Sequence, residues 1–131
     1  MWVRRGAPLA VAMVLTGCGN PVHSHYSVKQ TAPCLRKLGY TVSTDAAKLG
    51  PIEAAATEGA LLAKEPGNAV RVTFSQNSSE AGNVEAAYRR FVSKKLRPHI
   101  NDVMLSQKNA VLLWTITPPK DELNRVLACL R

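Results

Sequence analysis

Apolar positions recur along this chain with two different periods, and proline, glycine and capping residues mark where one gives way to the other. Val84, Ala87, Tyr88, Phe91, Val92 and Leu96 return every three or four residues, which is one face of a helix. Asn77 and Glu80 stand at capping-box spacing ahead of them, and Pro98 is the expected stop. Upstream, Val70, Val72 and Phe74 alternate with Arg71, Thr73 and Ser75, the period-two pattern of a strand with one face in the core and the other toward water or a partner.

The turn Glu65-Pro66-Gly67-Asn68 leads into that strand. Residues 51–64 fit one continuous helix through Ile52, Ala55, Ala56, Gly59 and Leu62. They fit equally a short helical turn over 51–57 followed by a strand from Ala60 to Lys64, and Gly59 favours this second arrangement, a hairpin with 69–75. A second hairpin is expected from Val103–Ser106 and Ala110–Thr117 around Gln107-Lys108-Asn109, its second strand apolar on both faces and therefore central. A first helix is expected from Thr31-Ala32-Pro33 to Gly39 and a short strand over Tyr40–Thr44. A last helix opens at Thr117-Pro118-Pro119 and buries Leu123, Val126, Leu127 and Leu130. The pattern predicts an α+β domain: a mostly antiparallel sheet of two hairpins, with helices packed on one face.

The N-terminus reads differently. Arg4 and Arg5 precede an uncharged run from Gly6 to Thr16, about half the ~20 residues a spanning helix needs. Leu15-Thr16-Gly17-Cys18 closes it, and this layout resembles the signal and lipobox of bacterial lipoproteins. The resemblance implies cleavage before Cys18, a diacylglycerol thioether on that cysteine, and tethering outside the cytoplasmic membrane. With Gly19 after the cysteine, the outer membrane is favoured in a two-membrane cell. Residues 18–31 then read as a flexible tether and 32–131 as one domain. Cys34-Leu35-Arg36-Lys37-Leu38-Gly39-Tyr40 and Cys129-Leu130 also resemble the cysteine-centred ends of small uncharacterised exported domains of GC-rich Gram-positive bacteria. No activity attaches to that likeness.

Export changes the meaning of the other cysteines. With Cys18 on lipid, Cys34 and Cys129 are an even pair in an oxidising compartment, and a structural disulfide joining first and last helices is expected. Such a bridge contributes about 4.5 kcal/mol by chain entropy. A redox pair is the rival reading, but catalytic dithiols sit close in sequence.

Charge narrows the partners. The formal net charge is +8, and losing Arg4 and Arg5 with the signal leaves +6 on the 114 residues that follow it. Nucleic acid is excluded for an exported chain, so the membrane reached through the anchor, anionic lipid head groups, wall polymer or an envelope protein are the expected partners. Arg90, Lys94 and Arg97 recur at i, i+4, i+7 and are expected as one basic stripe on the long helix. Chemistry is harder to find. His23 and His25 are two imidazoles with no third ligand nearby, His99 stands alone, and no nucleophile elbow, metal quartet or phosphate loop occurs. No cofactor or metal is expected, and Trp114 reads as core. The expectation is a non-catalytic binding or adaptor module. The alternative is a small hydrolase, which a deep pocket lined by His99 and several carboxylates would favour.

Overall fold

The computed structural model describes residues 25–131, so the expected signal, Cys18 and most of the expected tether lie outside the described residues. Within them the sequence period and the observed elements agree over most of the length. Helix α1 spans Val28–Lys37, strand β1 Thr41–Ser43, α2 Pro51–Ala54, β2 Ala60–Glu65 and β3 Asn68–Phe74. Helix α3 spans Ser78–Phe91, α4 Ile100–Val103, β4 Met104–Gln107, β5 Ala110–Trp114 and α5 Lys120–Ala128. Residues 51–65 are thus a short helix and a strand, not one helix.

The five strands form one antiparallel sheet in the order β1-β2-β3-β5-β4. The fold class is α+β, with each expected hairpin present. β4 and β5 are joined by Lys108-Asn109, where Lys108 adopts φ +53°. Cys34 and Cys129 are disulfide-bonded with Cα atoms 5.4 Å apart, joining α1 to the end of α5.

Register decides which residues share a face. Leu61, Ala63, Val70, Val72, Phe74, Ala110, Leu112 and Trp114 point one way, and Leu62, Arg71, Thr73, Val111 and Leu113 the other. On the first face α5 brings Leu123 against Leu105 and Trp114, and Tyr26, just ahead of α1, accepts a hydrogen bond from Gln107. On the second, α2 and α3 meet Arg71 and Leu113. The helices therefore divide between both faces, where the sequence pattern put them on one. A strand apolar on both sides, such as β5, needs cover on both sides.

Two further boundaries moved. The first helix begins one turn earlier than Thr31, because the Ser27 hydroxyl accepts from Gln30 N and caps it. Thr31 is buried instead, donating to Arg131 O and accepting from Arg131 N, each at 3.1 Å. Residues 26–31, expected as tether, thus belong to the domain. Tyr26 is buried, and Asn109 holds it by accepting from its N–H at 2.7 Å and donating to its carbonyl at 2.9 Å. Ser27 N donates to Arg131 O at 2.6 Å, which ties the start of α1 to the last residue.

The long helix ends at Phe91, seven residues before Pro98. Val92 is extended, and Ser93 starts a new turn by accepting from Leu96 N and Arg97 N. The new turn, not Pro98, is therefore what separates Lys94 and Arg97 from α3. Arg90, Lys94 and Arg97 are all exposed, yet they lie on a helix end, a turn and a 3-10 segment respectively. The single basic stripe expected of them does not form. Phe91, expected on the buried side, is 71% exposed.

Candidate functional site

A cavity of about 720 Å³ opens between α2, α3 and the second face of the sheet. Its wall is largely aliphatic: Ile52 and Ala55 from α2, Val84 and Ala87 from α3, Leu113 from β5, with Phe91 at the end of α3. Its charged side chains are Arg71 and Glu53, and Tyr88 joins them. A concave apolar volume of this size with a few convergent polar groups is the usual form of a small-molecule site.

Each member of that polar group is fixed by its element. Proline at the first position of α2 suits a helix start, and it aims Glu53 inward from the first turn. Gly50, ahead of it, has φ +152°, a conformation that side chains disfavour, and a Cβ there would collide with Glu53 Oε1. Glu53 is 4% exposed, a burial that a carboxylate tolerates only when paired. The Tyr88 hydroxyl donates to its Oε2 in a short hydrogen bond, and Arg71 Nη1 lies 3.9 Å from its Oε1. Arg71 Nη1 also donates to Leu49 O at 2.7 Å. Burial, then the hydrogen bond to Glu53 and that carboxylate's charge, push the Tyr88 phenol well above its ordinary pKa. The hydroxyl therefore keeps its proton and donates a hydrogen bond to the Glu53 carboxylate.

A second polar cluster lies on the other face. Tyr40 donates to Glu122 Oε1 at 3.0 Å, and Glu65 shares a hydrogen bond with Glu122. That bond, with burial and the neighbouring charge, raises the Glu65 carboxyl above the usual range, against the pull of Arg125. A cavity of about 160 Å³ lies beside Trp114, whose buried Nε1 has no hydrogen-bond partner among the described residues.

The residues singled out by sequence fall elsewhere. Trp114 is core, 2% exposed. His25 pairs with Glu58 at 3.1 Å, and His23 lies outside the described residues. His99 is exposed, 3.9 Å from Asp102, and lines neither cavity. Among the described residues no three His, Cys, Asp or Glu side chains converge as metal ligands, and no helix is long and apolar enough to cross a membrane. Glu53, Arg71 and Tyr88 were not read as a site. Tyr88 merged into the apolar stripe of α3, and Arg71 was one polar residue on an alternating strand. The available signal was Gly-Pro followed by an acid, Gly50-Pro51-Ile52-Glu53. Comparison with family models, with curated proteins and with solved structures finds no match.

Proposed function

We propose that this chain is a non-catalytic binding module that holds a small apolar molecule between α2 and α3, and that Cys18 anchors it by lipid outside the cytoplasmic membrane. The cavity carries the first part. It is preformed, mostly aliphatic and large enough for a small-molecule ligand. The groups that converge on it suit binding better than catalysis. Glu53 is spent on Tyr88 and Arg71, and the Tyr88 hydroxyl keeps its proton in the hydrogen bond to Glu53. The neutral fluorophore N-phenylnaphthylamine tests this directly. Its emission should rise on mixing with the full chain and stay low with Ala87→Trp, which fills the cavity. An Ile116→Ser variant, outside the cavity, should behave as wild type. Equal emission from wild type and Ala87→Trp refutes the site.

The anchor rests on Leu15-Thr16-Gly17-Cys18 after the uncharged run. Labelling with a palmitate analogue should mark wild type and not Cys18→Ala, and equal label in both refutes it. A second reading is favoured by Phe91, exposed and flanked by exposed Arg89, Arg90, Lys94, Lys95 and Arg97. An aromatic among cations suits an anionic head-group surface, each charge contributing about 1 kcal/mol there. Binding to anionic vesicles should weaken as salt rises and vanish on charge reversal at Arg90, Lys94 and Arg97. Salt-insensitive binding refutes it.

A further inference from the structure

We infer that the molecule held between α2 and α3 is a single-chain amphiphile with an anionic head, and that Arg71 binds the head. This rests on the pocket reading above and adds the class of ligand.

Volume bounds the size of the ligand. A methylene occupies about as much room as a molecule of liquid water, ~30 Å³, so the cavity takes roughly two dozen heavy atoms. A single acyl chain with its head fits within that volume. The wall sets the nature of the chain. Ile52, Ala55, Val84, Ala87, Phe91 and Leu113 offer methyl, methylene and aromatic surface, and Asn83, which is exposed, is the one uncharged amide side chain in the wall.

Charge at the cavity sets the head. Its two charged lining residues present themselves unequally. Glu53 is almost wholly buried, with Tyr88 on one oxygen and Arg71 beside the other, so a ligand reaches it only by displacing both. The Arg71 side chain is 38% exposed. A guanidinium has five N–H donors in a planar fork, and Leu49 O takes one of them through Nη1. The others suit the paired oxygens of a carboxylate or a phosphate, which a fork binds through two parallel hydrogen bonds. Glu53 acts as a positioning residue: with Leu49 O it holds the guanidinium still before the ligand arrives, which lowers the ordering cost of binding. A quaternary ammonium head would meet like charge, and an alcohol would use the fork only in part.

Calorimetric titration of the full chain with dodecanoate, dodecyl phosphate and dodecanol, each below its micellar range, tests the assignment. Both anions should bind at least tenfold tighter than dodecanol, with the margin narrowing as salt rises. Arg71→Gln should remove the margin while leaving dodecanol binding in place. The stronger of the two anions identifies the head as carboxylate or phosphate. Dodecanol binding as tightly as the anions overturns the role of Arg71 and leaves the pocket standing. Failure of all three to bind overturns the pocket as well. Should Arg71→Gln not fold by circular dichroism, the three-ligand comparison on wild type still decides.

Discussion

Tyr88→Phe isolates one hydrogen bond in the candidate site. Tyr88 is 4% exposed, so phenylalanine keeps its ring packing and loses only the hydroxyl. That hydroxyl donates to Oε2 of a carboxylate that is itself buried, and the Arg71 guanidinium near the other oxygen is too distant for a close bond. A hydrogen bond to a charged group contributes about 1.5–3 kcal/mol net, and the carboxylate left behind has no water to turn to. The variant should therefore lose about 2–3 kcal/mol at neutral pH. For a domain near 100 residues that is a fall in Tm of about 8–20 °C. Urea unfolding by circular dichroism measures it, with an unchanged slope confirming that the same surface is exposed. Glu53→Leu alone should be at least as costly, because it strands the hydroxyl and unpairs Arg71. The two substitutions together should cost less than their sum, by about 2 kcal/mol of coupling. A Tyr88→Phe variant within about 0.5 kcal/mol of wild type would refute the account, since surface changes typically fall in that range.

Reducing the Cys34–Cys129 bridge, which closes a separation of 95 residues, should cost about 2–5 kcal/mol, read as a lower urea midpoint in dithiothreitol; an unchanged midpoint contradicts its structural role. Glu65→Gln should change the pH dependence of stability in a defined direction. Because the folded-state pKa of Glu65 is raised, its contribution is full below its unfolded value near 4.5 and is lost as pH rises through the folded value. The variant should thus gain on wild type as pH climbs from 4.5 toward 7, and a variant that loses ground to wild type over that window refutes the shared hydrogen bond with Glu122. Thr73→Val should raise stability by about 1 kcal/mol, because the Thr73 hydroxyl is buried with no hydrogen-bond partner among the described residues and valine keeps the branched shape. A loss of more than about 1 kcal/mol would show that the hydroxyl is satisfied.

The fold was readable where local pattern and tertiary need agree. Alternation at Val70, Val72 and Phe74 is enough to place β3, because shifting the register by one would put Arg71 and Thr73 where three fully buried apolar side chains now pack. Asn77 and Glu80 place the start of α3 as reliably, since Asn77 Oδ1 accepts from Glu80 N at 2.9 Å. The misread boundaries are those where a residue suited to one local role serves a distant partner. Thr31 has the chemistry of a cap, and uses it on Arg131, a hundred positions away. Cover on both faces of the sheet is likewise a global property. Nothing local in α2, a single turn, announces that it lies across the sheet from α5.

The site escaped the sequence for a related reason: it depends on where a helix stops. Phe91 closes α3 on the side of Val84, Ala87 and Tyr88, the half-buried and buried residues of that face. The chain turns away at Val92 and leaves Phe91 exposed at the edge of the cavity, with Tyr88 one turn back reaching Glu53. Glycine at position 50 completes the arrangement from the other side, for any larger residue there would meet the carboxylate that Tyr88 and Arg71 share. An open apolar cavity costs stability that closer packing would recover. On the binding role proposed above, an occupant's own apolar surface would restore that loss, beside a buried carboxylate whose guanidinium partner is the more exposed of the two.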